Sequence, residues 1–97
     1  VIEFFVEKNV VENSKYFEKD KKIILNQSFF KNPEEIILRS FMQVINQISK
    51  KKNYPRGKKV LGLLDSIKFS NKNVKLTLSG CIIEKIADSV IIYPEKR

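Results

Sequence analysis

The stretch VKLTLSGCIIEKIADSVIIY, residues 74–93, decides the fold. Val74, Leu76 and Leu78 alternate with Lys75, Thr77 and Ser79, the period of a strand with one buried face. Residues 74–79, 81–86 and 90–93 read as three strands. Gly80 marks a bulge or sharp bend between the first two, and residues 87–89 close a hairpin between the last two.

The same stretch holds Cys81, the one cysteine of a 97-residue chain that has no histidine. A nucleophilic thiol needs a base or a cation to hold it as thiolate, and no imidazole is present to take the proton. One cysteine closes no disulfide within the chain and, without imidazole partners, builds no four-ligand zinc site. Cys81 therefore reads as a small buried residue, and the chain as cytoplasmic.

Upstream, the clearest start signal is Asn32 as N-cap, Pro33 at the first helical position, and Glu34 and Glu35 in the first turn. The helix it opens runs to about residue 50. At 100° per residue Ile37, Leu38, Phe41, Val44, Ile45 and Ile48 share one face, while Arg39, Gln43, Asn46 and Lys50 share the other. Val60, Leu61, Leu64 and Ile67 predict a second helix over residues 57–66. Tyr16, Phe17 and then Ile23, Ile24 and Leu25 flank a polar segment, as a short hairpin or as one strand after an irregular stretch. Residues 1–13, apolar at positions 1, 2, 5, 6 and 10, predict a lead-in helix from a preceding, absent domain. Residues 14–97 then form a single α+β domain, with two or three helices packed on a small, mainly antiparallel sheet.

The chain opens on Val-Ile-Glu-Phe-Phe without an initiator Met, and the expectation is a piece of a longer protein. No apolar run approaches the roughly 20 residues of a membrane span, so no membrane partner is expected.

The net charge of +8 is unevenly spread. Residues 1–35 carry six Lys and seven acids, and residues 65–97 carry six basic and four acidic residues. Between Glu35 and Asp65 there is no acid, while Arg39, Lys50, Lys51, Lys52, Arg56, Lys58 and Lys59 are all cationic. A positive field of that kind suits a polyanion; a solvated, lysine-rich surface is the bland reading of the same charges. Pro55 and Gly57 break the helical pattern between the two helices, which places the segment KKKNYPRGKK, residues 50–59, on a basic loop. Tyr54 could stack on an exposed base or pack against the following helix. Arg39 could extend the basic surface or pair with Glu35 one turn earlier.

Catalytic constellations are missing from the sequence. Glu34 and Glu35 are explained by a helix start, and the isolated glycines at 57, 62 and 80 make no phosphate loop. No metal or cofactor is expected in this chain.

The string YPRGKKVLGLLDSI (54–67), preceded by the Arg39-bearing helix and followed by LTLSGCIIEKIADSVIIYPEK (76–96), resembles the C-terminal part of tRNA(Ile)-lysidine synthetases. The resemblance spans residues 33–95 and is sharpest at Leu78-Ser79-Gly80-Cys81. Members of that family use ATP to adenylate the wobble cytidine of an isoleucine tRNA and then attach lysine. The chemistry sits in an N-terminal ATP-pyrophosphatase domain. By resemblance, this chain is the non-catalytic part that helps hold the tRNA, with ATP used only by the parent enzyme. Its partners would be tRNA, the ATP-pyrophosphatase domain of the same chain and, in a dimer, a second copy. Many members place a basic residue before the final Glu, where this chain has Tyr93 and Pro94. The expected tRNA-binding residues are Arg39, Lys50, Lys51, Lys52, Tyr54, Arg56, Lys58 and Lys59. The alternative, of a different class, is a protein-interaction or dimerisation module with a solubilising basic surface.

Overall fold

The computed structural model describes residues 1–49, 57–69, 72–78 and 80–95. Helix α1 (Ile2–Asn13) runs into a hairpin of β1 (Ser14–Phe17) and β2 (Lys22–Leu25). A 3-10 turn (Gln27–Lys31), α2 (Glu34–Ile48) and α3 (Gly57–Phe69) follow, and then the meander of β3 (Val74–Leu78), β4 (Cys81–Ile86) and β5 (Ser89–Pro94). The strands form one sheet in the order β1-β2-β5-β4-β3, with every pairing antiparallel. The α+β architecture read from the sequence is present, and β2 adds the N-terminal hairpin to the edge of the C-terminal meander.

Register explains which face meets the helices. Ile23 lies opposite Ile92, which lies opposite Ile83 on the next strand, and all three are buried. Leu25 and Val90 make the next buried pair, and Leu78 faces Cys81. Because the side-chain period is two, the intervening Ile24, Ile82, Ile91 and Tyr93 fall on the opposite face, where they are only half-buried. Among the described residues, the helices cover one side of the sheet and leave the other open.

Both turns of the meander depend on backbone in the left-handed region. Leu78 pairs with Cys81 around Gly80 at φ 79°, a conformation open to glycine without strain, so the expected bulge or bend is a tight hairpin turn. Ile86 pairs with Ser89 around Ala87 and Asp88, and Ala87 holds φ 56° while its N–H donates to Asn73 Oδ1.

Helix α2 supplies the centre of the core. Phe41, Val44 and Ile45 have no exposed surface, and each stabilises the fold by about 1.5–3 kcal/mol through burial. Its buried arc also takes in Ile36 and Ser40, on the side away from the half-buried Leu38. The arc is wider than the sequence periodicity indicates because α2 packs against α1 as well as α3 and the sheet.

The start of α2 differs from the sequence reading. Asn32 is not its N-cap: Pro33 holds that position, its carbonyl accepts from Ile37 N–H at 3.0 Å, and no side chain caps the helix. The residue before a proline is driven to extended backbone, and Asn32 sits at φ −84°, ψ 165°. Its amide is spent on the preceding turn, donating to Asn9 Oδ1 at 3.0 Å and to the Phe29 carbonyl at 3.3 Å. Asn9, buried on α1, donates to that same carbonyl and accepts from Asn13. This asparagine cluster fastens α1 to the 3-10 turn. At the other end of the helical layer, α3 runs to Phe69, three residues past its expected end.

Candidate nucleic-acid interface

Helix α3 buries Val60, Leu64 and Ile67, one stripe at i, i+4 and i+7. That stripe fixes the rotation of the helix and leaves Lys58 and Lys59 exposed. Its first turn contains no acid, although the positive end of a helix dipole favours one. Two lysines there cost the helix a few tenths of a kcal/mol in isolation, and they add charge to backbone N–H groups that already attract anions.

Arg39 is also exposed, and its Nη2 lies 3.1 Å from Glu35 Oε1 one turn earlier. An exposed i, i+4 pair is worth only a few tenths of a kcal/mol, so the contact does not commit the guanidinium. Arg39 stands nine residues before Ile48, the end of α2, a rise of roughly 14 Å. It is therefore set apart from the loop end of the helix. Lys50, Lys51, Lys52, Tyr54 and Arg56 lie outside the described residues, so the two-way choice for Tyr54 falls there too.

Cys81 is fully buried, with Sγ 3.9 Å from the Ile45 carbonyl. Burial pushes its thiol above its ordinary range, while a hydrogen bond with Ser49 acts more weakly the other way. A thiol held neutral inside the core is a packing group.

The open face of the sheet carries side chains that the sequence reading did not single out. Lys15, Phe17, Lys22, Ile24, Ile91, Tyr93, Glu84 and Lys75 share it by register. Tyr93 Oη donates to Glu84 Oε1 at 3.0 Å. This hydrogen bond, with some desolvation and the carboxylate charge, pushes the Tyr93 phenol up, and Lys75 opposes the shift. The available signal was the alternation in KIIL (22–25) and SVIIYP (89–94), where neighbouring isoleucines must point to opposite faces.

Among the described residues, no group of three or more His, Cys, Asp or Glu side chains is placed to hold a metal ion, and no helix is long and apolar enough to cross a membrane. Compared with family models, curated proteins and solved structures, the chain matches none.

Proposed function

We propose that this chain is an RNA-binding, non-catalytic domain, and that it serves a tRNA(Ile)-lysidine synthetase by holding the tRNA while an ATP-pyrophosphatase domain performs the chemistry in the cytoplasm. The observation that carries the RNA reading is the opening of α3. Exposed Lys58 and Lys59 stand where a helix favours acids, at the end of an acid-free stretch with seven cations. Phosphates gain from both the ammonium groups and the helix N-terminus, and they release counterions on binding. The tRNA class and the parent activity rest on the resemblance over residues 33–95.

One observation favours a second reading as a protein-interaction module. Helix α1 exposes Phe4 at 63%, Phe5 at 46% and Val11 at 73%, apolar side chains left over after Val6 and Asn9 are buried, with exposed Lys8 and Glu12 set between them. The test is binding of labelled transcript tRNA to the wild type and to a variant with Lys50, Lys51, Lys52, Arg56, Lys58 and Lys59 changed to Ser. RNA binding predicts a large loss of affinity in a variant that remains folded. Equal affinities, with self-association that salt barely changes, favour the interaction module.

A further inference from the structure

Over β1 and β2, the open face of the sheet ends in a groove of about 490 Å³, lined among others by Lys15, Phe17, Ile24, Asn26 and Ser89. Two cations attend the ring in this groove: Lys15 Nζ lies 5.3 Å and Lys22 Nζ 5.6 Å from the Phe17 centroid. Phe17 pairs with Lys22, and one residue beyond the Ile23–Ile92 pair the register brings Lys22 beside Tyr93. Across three strands the face therefore presents an aromatic ring, a cation and a second aromatic ring, the two rings rooted about 9–10 Å apart.

We propose that this groove receives an unpaired nucleotide of single-stranded RNA, its base stacking on Phe17 as Lys15 and Lys22 swing off the ring to meet the flanking phosphates. The inference rests on RNA as the partner proposed above, and it adds a second contact surface on the side of the sheet away from α3. Charge complementarity selects this occupant. The hairpin over residues 14–25 carries four Lys against Glu18 and Asp20, and a wholly apolar protein partner would have to desolvate the lysines around Phe17. Asn26 Oδ1 accepts from the Phe29 N–H, which leaves its amide hydrogens for a base edge. Glu12 on the lining and the Asp20 carboxylate 3.6 Å from Lys22 reduce the local field. Affinity here therefore comes more from stacking than from charge. With two phosphate contacts on a single strand, the slope of log K against log salt is only about −1.4.

The experiment measures anisotropy of labelled oligouridylate and oligoadenylate with the wild type, Phe17→Leu, the double variant Lys15→Gln/Lys22→Gln and the six-Ser variant. Amide spectra verify each fold and map the contact. Phe17→Leu is expected to weaken oligonucleotide binding about five-fold or more, because leucine keeps the apolar contact but offers no ring. The six-Ser variant keeps a shallow, salt-tolerant affinity, and the amide shifts cluster at Phe17, Ile24 and Ile91. Oligonucleotide binding that is absent, or unchanged by both open-face variants, overturns the proposal. So does an open-face variant that alters sedimentation and leaves RNA affinity intact, which assigns the face to a second copy. If tRNA affinity falls in the six-Ser variant while the open-face variants match the wild type, the groove is overturned and the RNA reading of the basic stretch survives.

Discussion

Lys85 Nζ donates to the Ile67 carbonyl at 2.7 Å, joining the end of β4 to the last turn of α3. Lys85 lies on the covered face, two residues after Ile83, and Ile67 is among the last four residues of α3, whose carbonyls have no partner within the helix. The ammonium meets both an orphan acceptor and the negative end of the dipole. This contact helps hold the helix whose other end presents Lys58 and Lys59.

Replacing Lys85 with Met keeps the aliphatic stem and removes the charge. The expected loss is about 1–2 kcal/mol, since a part-buried hydrogen bond from a charged donor exceeds a neutral one. Urea unfolding followed by circular dichroism measures it. An unchanged midpoint would show that water serves the α3 terminus equally well.

Cys81→Ser should cost roughly 1–3 kcal/mol, because a hydroxyl replaces a small apolar group at a site with no exposed surface, and Cys81→Ala should cost less. The thiol is raised in the folded state, so its contribution is fully present at neutral pH. Above about pH 8.5 the unfolded thiol ionises first, and stability falls as pH rises toward the folded value. Cys81→Ala should flatten that alkaline loss. Rapid labelling of the native thiol by a maleimide at neutral pH would contradict its burial.

Two buried polar residues on the helices should respond in opposite ways. Asn9 makes hydrogen bonds to Phe29, Asn13 and Asn32, so Asn9→Ala strands several partners and should cost about 2–3 kcal/mol. Ser40 Oγ has no hydrogen-bond partner among the described residues, so Ser40→Ala removes an unsatisfied hydroxyl, improves helix propensity and should be neutral or stabilising by up to about 1 kcal/mol. Thermal melts of the two variants give the signs directly. A stabilising Asn9→Ala would deny the asparagine cluster its role in fastening α1.

Much of this arrangement was legible because local signals agreed with the final packing. Alternation over residues 74–93 gave the meander, and the 3.6-residue spacing of Phe41, Val44, Ile45 and Ile48 gave α2. The errors occurred where a long-range contact competed with a local one. Asn32 carries a capping signature, yet the extended backbone before Pro33 and the partners on Asn9 and Phe29 draw its side chain backward. The sequence reading assigns Ser40 to neither face of α2, and it is fully buried in a helix that packs against α1 as well as α3 and the sheet. Exposed Lys58 and Lys59 followed from the helical stripe, because burying Val60 and Leu64 leaves them outside. The groove at Phe17 was not legible, because it forms where the end of α1 meets the β1–β2 hairpin, and the sequence leaves residues 16–25 undecided between a hairpin and one strand after an irregular stretch.

The most direct test of the RNA-binding account is the salt dependence of tRNA affinity for the wild type and for the variant with Lys50, Lys51, Lys52, Arg56, Lys58 and Lys59 changed to Ser. If those six side chains meet phosphates, their share of the slope of log K against log salt is about −4 to −5, at 0.7 to 0.9 per contact. The variant line should be shallower by that amount, and its affinity lower at low salt across tRNA sequences. Parallel lines of equal affinity from two folded proteins would contradict the account and remove the basic stretch from RNA recognition.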